Sequence, residues 1–212
     1  MSVDPKQSKG ETFSEVLEAL GDREEPKLYL GELVNAFGER GFGALMLFLG
    51  LISAVIGAVP GTTTVLGAPI VLIAVQLIIR RDQLWLPKWA LKGSLDRATY
   101  RASVGKIMKP LKMVERISKP RLTFMSTDLA EMLIGLICLI LAVILMLPIT
   151  GGNLVPALII AAFGFGMTQR DGLIVLAAIA ATFVLGTGVW LAWELIQPFL
   201  LNAWDWATGL FA

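Results

Sequence analysis

The chain has no histidine and a single cysteine, Cys138, in 212 residues. Without histidine it lacks the commonest general base and metal ligand, and any Ser-His or Cys-His nucleophile pair. One cysteine excludes an intramolecular disulfide and a cysteine-based metal site. Three long stretches lack charge altogether: residues 41–79, 132–169 and 172–193 contain no Asp, Glu, Lys or Arg. A charge at the bilayer centre costs about 2.5–3.5 kcal/mol on insertion scales, so blocks of this kind in a chain that is 56% hydrophobic read as membrane-embedded. The remaining charge is uneven. Residues 1–40 carry 5 Lys/Arg against 9 Asp/Glu, and residues 80–131 carry 12 against 5. The polar, acidic N-terminus shows no basic region followed by an apolar one, so it does not read as a cleavable signal peptide.

What is present is organised by prolines. The first apolar block breaks at VPGTTTVLGAP (59–69) and the second at LPITGGNLVP (147–156). The arms, at 44–59 and 65–79 and again at 132–147 and 154–168, reach only about 22–24 Å each, against a bilayer core of about 30 Å. They are either thin spans or re-entrant arms. Irregular backbone at membrane depth needs protein groups or a wet cavity to satisfy it, which the threonines and Asn153 can help supply. Pro148 follows Pro60 by 88 residues. With a residue or two of slack, Pro156 answers to Pro69 and Arg170-Asp171 to Arg81-Asp82, the pattern of an internal repeat. Interrupted apolar segments in two halves point to a transporter-type site. The last block, 172–193, is long enough for a full span of about 33 Å. Trp190, Trp193, Trp204 and Trp206 then form an aromatic belt.

The fold predicted is an all-α polytopic membrane protein of two repeated helical hairpins and a final transmembrane helix. Its parts are amphipathic N-terminal helices (1–40), hairpin 1 (41–82), a basic connector (83–131), hairpin 2 (132–171) and the C-terminal helix (172–212). In the first part, Thr12 and Glu15 form a capping box for a helix with Phe13, Val16, Leu17 and Leu20 on one face. Residues 27–39 place Leu30, Leu33, Val34 and Phe37 at helical spacing. In the connector, residues 94–118 pattern as a basic amphipathic helix in the headgroup plane, with Arg97, Arg101, Lys109, Lys112 and Arg116 meeting anionic lipid. The positive-inside rule makes 80–131 cytoplasmic. Parallel and inverted repeats both fit. Tethering between membrane blocks argues against nucleic acid as a partner. Gly43, Gly50 and Gly57, with Ala162 and Gly166, are small faces that let helices approach closely, within one chain or across a homodimer; five short elements bury little alone, so a homodimer is expected.

Four stretches resemble one family: LGELVNAFGERGFGALMLFLGLISAV, PGTTTVLGAPIVLIAVQLIIRRDQLWLP, ERISKPRL and LPITGGNLVPALIIAAFGFGMTQRDG. They are similar to the bacterial exopolysaccharide-synthesis ExoD family over roughly residues 28–185. The resemblance implies an association with exopolysaccharide production, and with tolerance of alkaline conditions and envelope stress. It carries no assigned reaction. PGTTT is more polar than the Pro-rich loop of the family.

No paired carboxylates, HExxH or phosphate-binding glycine loop appears, so no enzyme activity, metal or cofactor is expected. The candidate polar site is Pro60, Thr62, Thr63, Thr64, Pro148, Thr150, Asn153 and Pro156. The alternative is that these residues merely cap short helices. Arg81-Asp82 and Arg170-Asp171 read as interfacial salt bridges or as gating pairs. Two functions follow. One is a small transporter or channel-like protein with its site at the loops. The other is a non-transporting partner of lipids or of the exopolysaccharide machinery, acting through the basic helix.

Overall fold

The computed structural model describes residues 12–37, 41–56, 62–81, 84–119, 127–147 and 152–209. The chain divides into two units, residues 1–178 and 179–212. Four helices form the centre of the first: α3 (Gly41–Ile56), α4 (Thr62–Ile78), α7 (Asp128–Met146) and α8 (Leu154–Gln169). They match the predicted arms, shifted by a few residues.

Glycine decides how they pair. A Cβ at Gly43 would lie 2.7 Å from Thr168 Oγ1, and one at Gly50 2.7 Å from Ala161 N. Backbone therefore meets backbone, with the start of α3 beside the end of α8. A Cβ at Gly67 would meet Met146 at 2.5 Å, and one at Gly135 would meet Leu77 at 2.8 Å, so α4 and α7 are antiparallel as well. The end of α3 and the start of α4 therefore lie at the same end of the bundle as the end of α7 and the start of α8. Gly43 and Gly50 are thus occupied within the chain. Gly166 is too, against Val175. Gly57 lies outside the described residues.

The outer face of the bundle is apolar. Along α7, Leu129, Leu133, Leu136, Ile140 and Val143 are about half exposed, while Ile134, Cys138, Leu141 and Leu145 are buried. A stripe this long in water would be an aggregation liability; against lipid it is an ordinary outer surface. Among the described residues, α7 and α9 (Gly172–Gly209) are long and apolar enough to cross a membrane. The second unit is helical through residue 209, and its exposed Phe183, Val184, Trp190, Trp193 and Leu195 are apolar.

The N-terminal part and the connector fold together. Helix α1 (Phe13–Gly21) begins with the expected Thr12–Glu15 capping box and buries the expected face. The next segment differs from expectation. Residues 27–29 are a strand, β1, that pairs antiparallel with β2 (Ser94–Asp96), Leu28 opposite Leu95, and α2 is only Leu30–Phe37. Phe37 stacks on Phe13 at 4.9 Å. After a one-turn helix α5 (Lys88–Leu91) and β2, helix α6 runs Arg97–Ile117 antiparallel to α1. Ser14 at the start of α1 donates from its N–H (3.0 Å) and Oγ (2.6 Å) to Glu115. The Tyr100 hydroxyl donates to Leu17 O at 2.8 Å. Tyr100 is fully buried beside Phe48 of α3, and burial pushes its phenol far above the ordinary range. Part of the basic helix is therefore core, not a wholly lipid-facing surface.

Candidate functional site at the turn end of the bundle

A helix leaves its last carbonyls without intrahelical donors. At the end of α7 two of these are taken by side chains from elsewhere. Thr64 Oγ1, in the first turn of α4, donates to Met146 O at 3.1 Å, which ties hairpin 1 to hairpin 2. Asn153 Nδ2 donates to Leu147 O at 3.3 Å and is almost wholly buried. Asn153 holds the N-cap position of α8 with αR backbone and no capping bond from its side chain. Pro156 lies buried in the first turn of α8, where a missing N–H costs nothing. Thr62 and Thr63 lie in the first turn of α4, their side chains outside the described residues, as are Pro60, Pro148 and Thr150.

Sequence reasoning missed one residue here. Ser53, near the end of α3, is fully buried, and its Oγ has no hydrogen-bond partner among the described residues. The α3–α8 register sets it level with the first turn of α8, as Asn153 is. A serine inside a charge-free helix carries no sequence signal of its own.

At the opposite end the Arg170-Asp171 pair differs from expectation. Arg80 and Arg170 both take positive φ, 55° and 53°. Arg80 N–H donates to Leu77 O (3.1 Å) and Arg81 N–H to Gln76 O (3.0 Å). Arg170 N–H donates to Met167 O (3.3 Å) and Asp171 N–H to Gly166 O (2.9 Å). These are two Schellman caps spaced by 90 residues, with arginine where glycine is usual. Arg80, not Arg81, is therefore the geometric counterpart of Arg170. Nor is Asp171 an ion-pair partner of Arg170. It is buried; its Oδ1 accepts from Leu173 N–H (3.1 Å), while Oδ2 accepts from Ser118 Oγ (3.1 Å) and Lys119 N–H (3.2 Å). The carboxylate starts α9 and holds the end of α6. Asp82 lies outside the described residues, and Arg81 is exposed.

Asp171→Ala is expected to remove a cap worth about 1 kcal/mol and to release the end of α6. Amide exchange at Leu173 and Lys119 should rise about fivefold. Asp171→Asn should keep Leu173 protected, because asparagine caps equally well. Unchanged exchange in the alanine variant would contradict the assignment.

The lipid-contact residues divide. Arg97 is 2% exposed and spends its guanidinium on the chain. Arg101 donates to Gly21 O (2.7 Å) and Arg23 O (3.1 Å), taking carbonyls at the end of α1. Arg97 is thus withdrawn from the surface, whereas Arg101 stays exposed. Lys112 pairs with Glu18 at 2.7 Å on the surface. Lys109 and Arg116 are exposed, beside exposed Met113 and Ile117.

Residues 13–192 match the family described as exopolysaccharide synthesis, ExoD. The chain belongs to the ExoD family. Among its relatives, protein ExoD of Rhizobium meliloti is 32% identical over 167 residues, 77% of this chain and 68% of that protein. An uncharacterised protein of Synechocystis sp. is also 32% identical, over 163 residues and 76% of each chain. No solved structure matches significantly. ExoD membership links the chain to exopolysaccharide synthesis. The match runs from α1 into α9, so the α1–α6 assembly is as much a part of the ExoD unit as the bundle is.

Proposed function

We propose that this chain supports exopolysaccharide production as a multi-pass inner-membrane protein without enzyme activity. Its working site is the turn end of the bundle, where a small polar solute or ion is bound or passed. One observation carries this reading: Ser53, Thr64 and Asn153, from α3, α4 and the N-cap of α8, place polar groups at one end of a mostly apolar bundle. Polar groups at membrane depth are costly and mark solute pathways more often than chance packing. An ion at this end would also account for the alkaline tolerance that the family resemblance implies.

The exposed Lys109 and Arg116 beside Met113 and Ile117 favour a second reading, a surface that docks anionic lipid or a partner protein. The test is exopolysaccharide yield in a host lacking the chain, complemented by variants at matched protein level. Thr64→Val with Asn153→Leu is expected to lower yield at least tenfold, with Thr64→Ser restoring the first position. Lys109→Glu with Arg116→Glu should be mild. The reverse pattern would move the function to α6.

A further inference from the structure

Arg80 and Arg170 close α4 and α8 with φ of 55° and 53°. An L-residue seldom takes this conformation, because its Cβ then crowds the following carbonyl oxygen. Glycine closes a helix in this way without the clash, yet both hairpins carry arginine at this step. The helix dipole does not explain the choice. A cation anywhere in the last turn meets the dipole on ordinary helical backbone. The same residue type, held in a disfavoured conformation at the same step of two hairpins, points to work for its side chain.

The surroundings are those of a headgroup layer. Both arginines are exposed. Counted from Thr62 and from Leu154, the first residues of α4 and α8, they lie about 27 Å and 24 Å along the helices. Two cations therefore stand at nearly one level, at the end of the bundle away from the turns. Each borders exposed apolar surface. Ile79 precedes Arg80, and Leu133 of α7 is close to its level, since a Cβ at Gly135 would lie 3.1 Å from Ile78 N. Leu173 and Leu176 follow Arg170, and all four leucine and isoleucine side chains are about half exposed. Arg81, also exposed, adds a third cation. A guanidinium offers a phosphate two parallel donors, and cations at the margin of an apolar surface suit a phosphate whose own tails cover that surface. A free phosphate would leave the apolar borders unused. We propose that Arg80 and Arg170 bind the phosphates of anionic phospholipids and fix the headgroup plane at this end of the bundle. The inference rests on the membrane placement; it goes beyond the turn-end site and does not depend on it.

The test uses the full chain purified in dodecyl maltoside and titrated with dioleoyl phosphatidylglycerol or dioleoyl phosphatidylcholine, read by native mass spectrometry and by Tm. Each cation beside an anionic headgroup contributes roughly fivefold, so phosphatidylglycerol should bind with at least tenfold preference. Arg80→Gln with Arg170→Gln removes both charges under the same backbone demand and should bring the preference within twofold. Arg80→Gly with Arg170→Gly should do likewise, while its Tm without added lipid holds or rises, because glycine accepts this backbone. Equal binding of the two lipids by the unmodified chain would overturn the proposal. So would an undiminished preference in either variant, which would assign it to other cations such as Lys109 and Arg116. A Tm of the glycine variant more than about 4 °C below that of the unmodified chain would also overturn it, by showing that the arginines serve the fold. None of these readouts involves exopolysaccharide, so failure here leaves the turn-end site standing.

Discussion

Arg97→Met is expected to free residues 13–37 from their packing while the four-helix bundle stays folded. The guanidinium is 2% exposed, and its donors reach four segments. Nε donates to Glu25 O at 2.5 Å and Nη1 to Leu20 O; Nη2 donates to Lys27 O at 3.0 Å and to Glu32 Oε2 at 3.4 Å. The backbone N–H of Arg97 donates to Pro26 O at 2.9 Å, next to the β1–β2 pair. One planar fork thus holds the end of α1, the turn after it, β1 and α2. Removing one partner from a buried charge network costs about 3–5 kcal/mol, because the carbonyls of Leu20, Glu25 and Lys27 lose the donor they share; Glu32 keeps Arg23 and the Tyr29 N–H. Lysine is a point charge with no fork, so Arg97→Lys should recover only part of the loss. Hydrogen exchange on the intact protein is the measurement. Peptides within 13–37 should exchange at least a hundredfold faster in Arg97→Met, while those within 41–56 keep their protection. Equal protection of both regions would mean that apolar packing alone, through Leu17, Leu20, Leu28 and Leu33, holds the assembly.

That arginine shows where sequence reading stops. A period of 3.6 sorts the residues of α6 into faces, but it does not say which face another segment of the chain will cover. Arg97 therefore looked like Arg101, Lys109 and Arg116, although Arg97 is buried on backbone carbonyls and the other three are on the surface. The strand pair was illegible for a related reason. KLY and SLD are three residues each and far apart in the chain, too short for a period of two to register. Leu30 and Leu33 drew the neighbouring residues into a predicted helix. The four central helices were legible because charge is absent from two long runs, which marks their outer ends, and because a Pro/Gly stretch breaks each run in two. The capping box at Thr12 and Glu15 was legible because its partners lie three residues apart. At the turn end, Thr64 and Asn153 stood out as polar residues beside prolines. Their partners, the last carbonyls of α7, are backbone atoms that every residue has. The caps at Arg80 and Arg170 were hidden for the same reason, since positive φ in an arginine leaves no mark in the sequence. Glycines announced a close approach, but the identity of the approaching helix came only from three dimensions.

That approach carries the other large effect. Gly164→Ala is expected to force α3 and α8 apart. Its Cβ would stand 2.6 Å from Gly43 O and closer still to Leu47 N, and both are backbone atoms with no rotamer by which to retreat. Overpacking a core usually costs about 1–3 kcal/mol, and contact with backbone on the facing helix puts this case at the upper end. For a chain of this length that is a fall in Tm of roughly 6–12 °C, readable by thermal unfolding in detergent. Gly186→Ala is the matched control. It is also a mid-helix glycine, but a Cβ there meets nothing within 4 Å, so Tm should hold or rise slightly with the better helix former. Two glycine-to-alanine changes of identical chemistry then differ only in what faces them. A large loss at Gly164 with none at Gly186 ties the stability of the bundle to α3–α8 backbone contact. Similar Tm values for the two variants would mean that the helices can separate by the width of a methyl group at little cost, and that the pairing of the hairpins rests instead on α4 and α7, where Gly67 and Gly135 make the corresponding approaches.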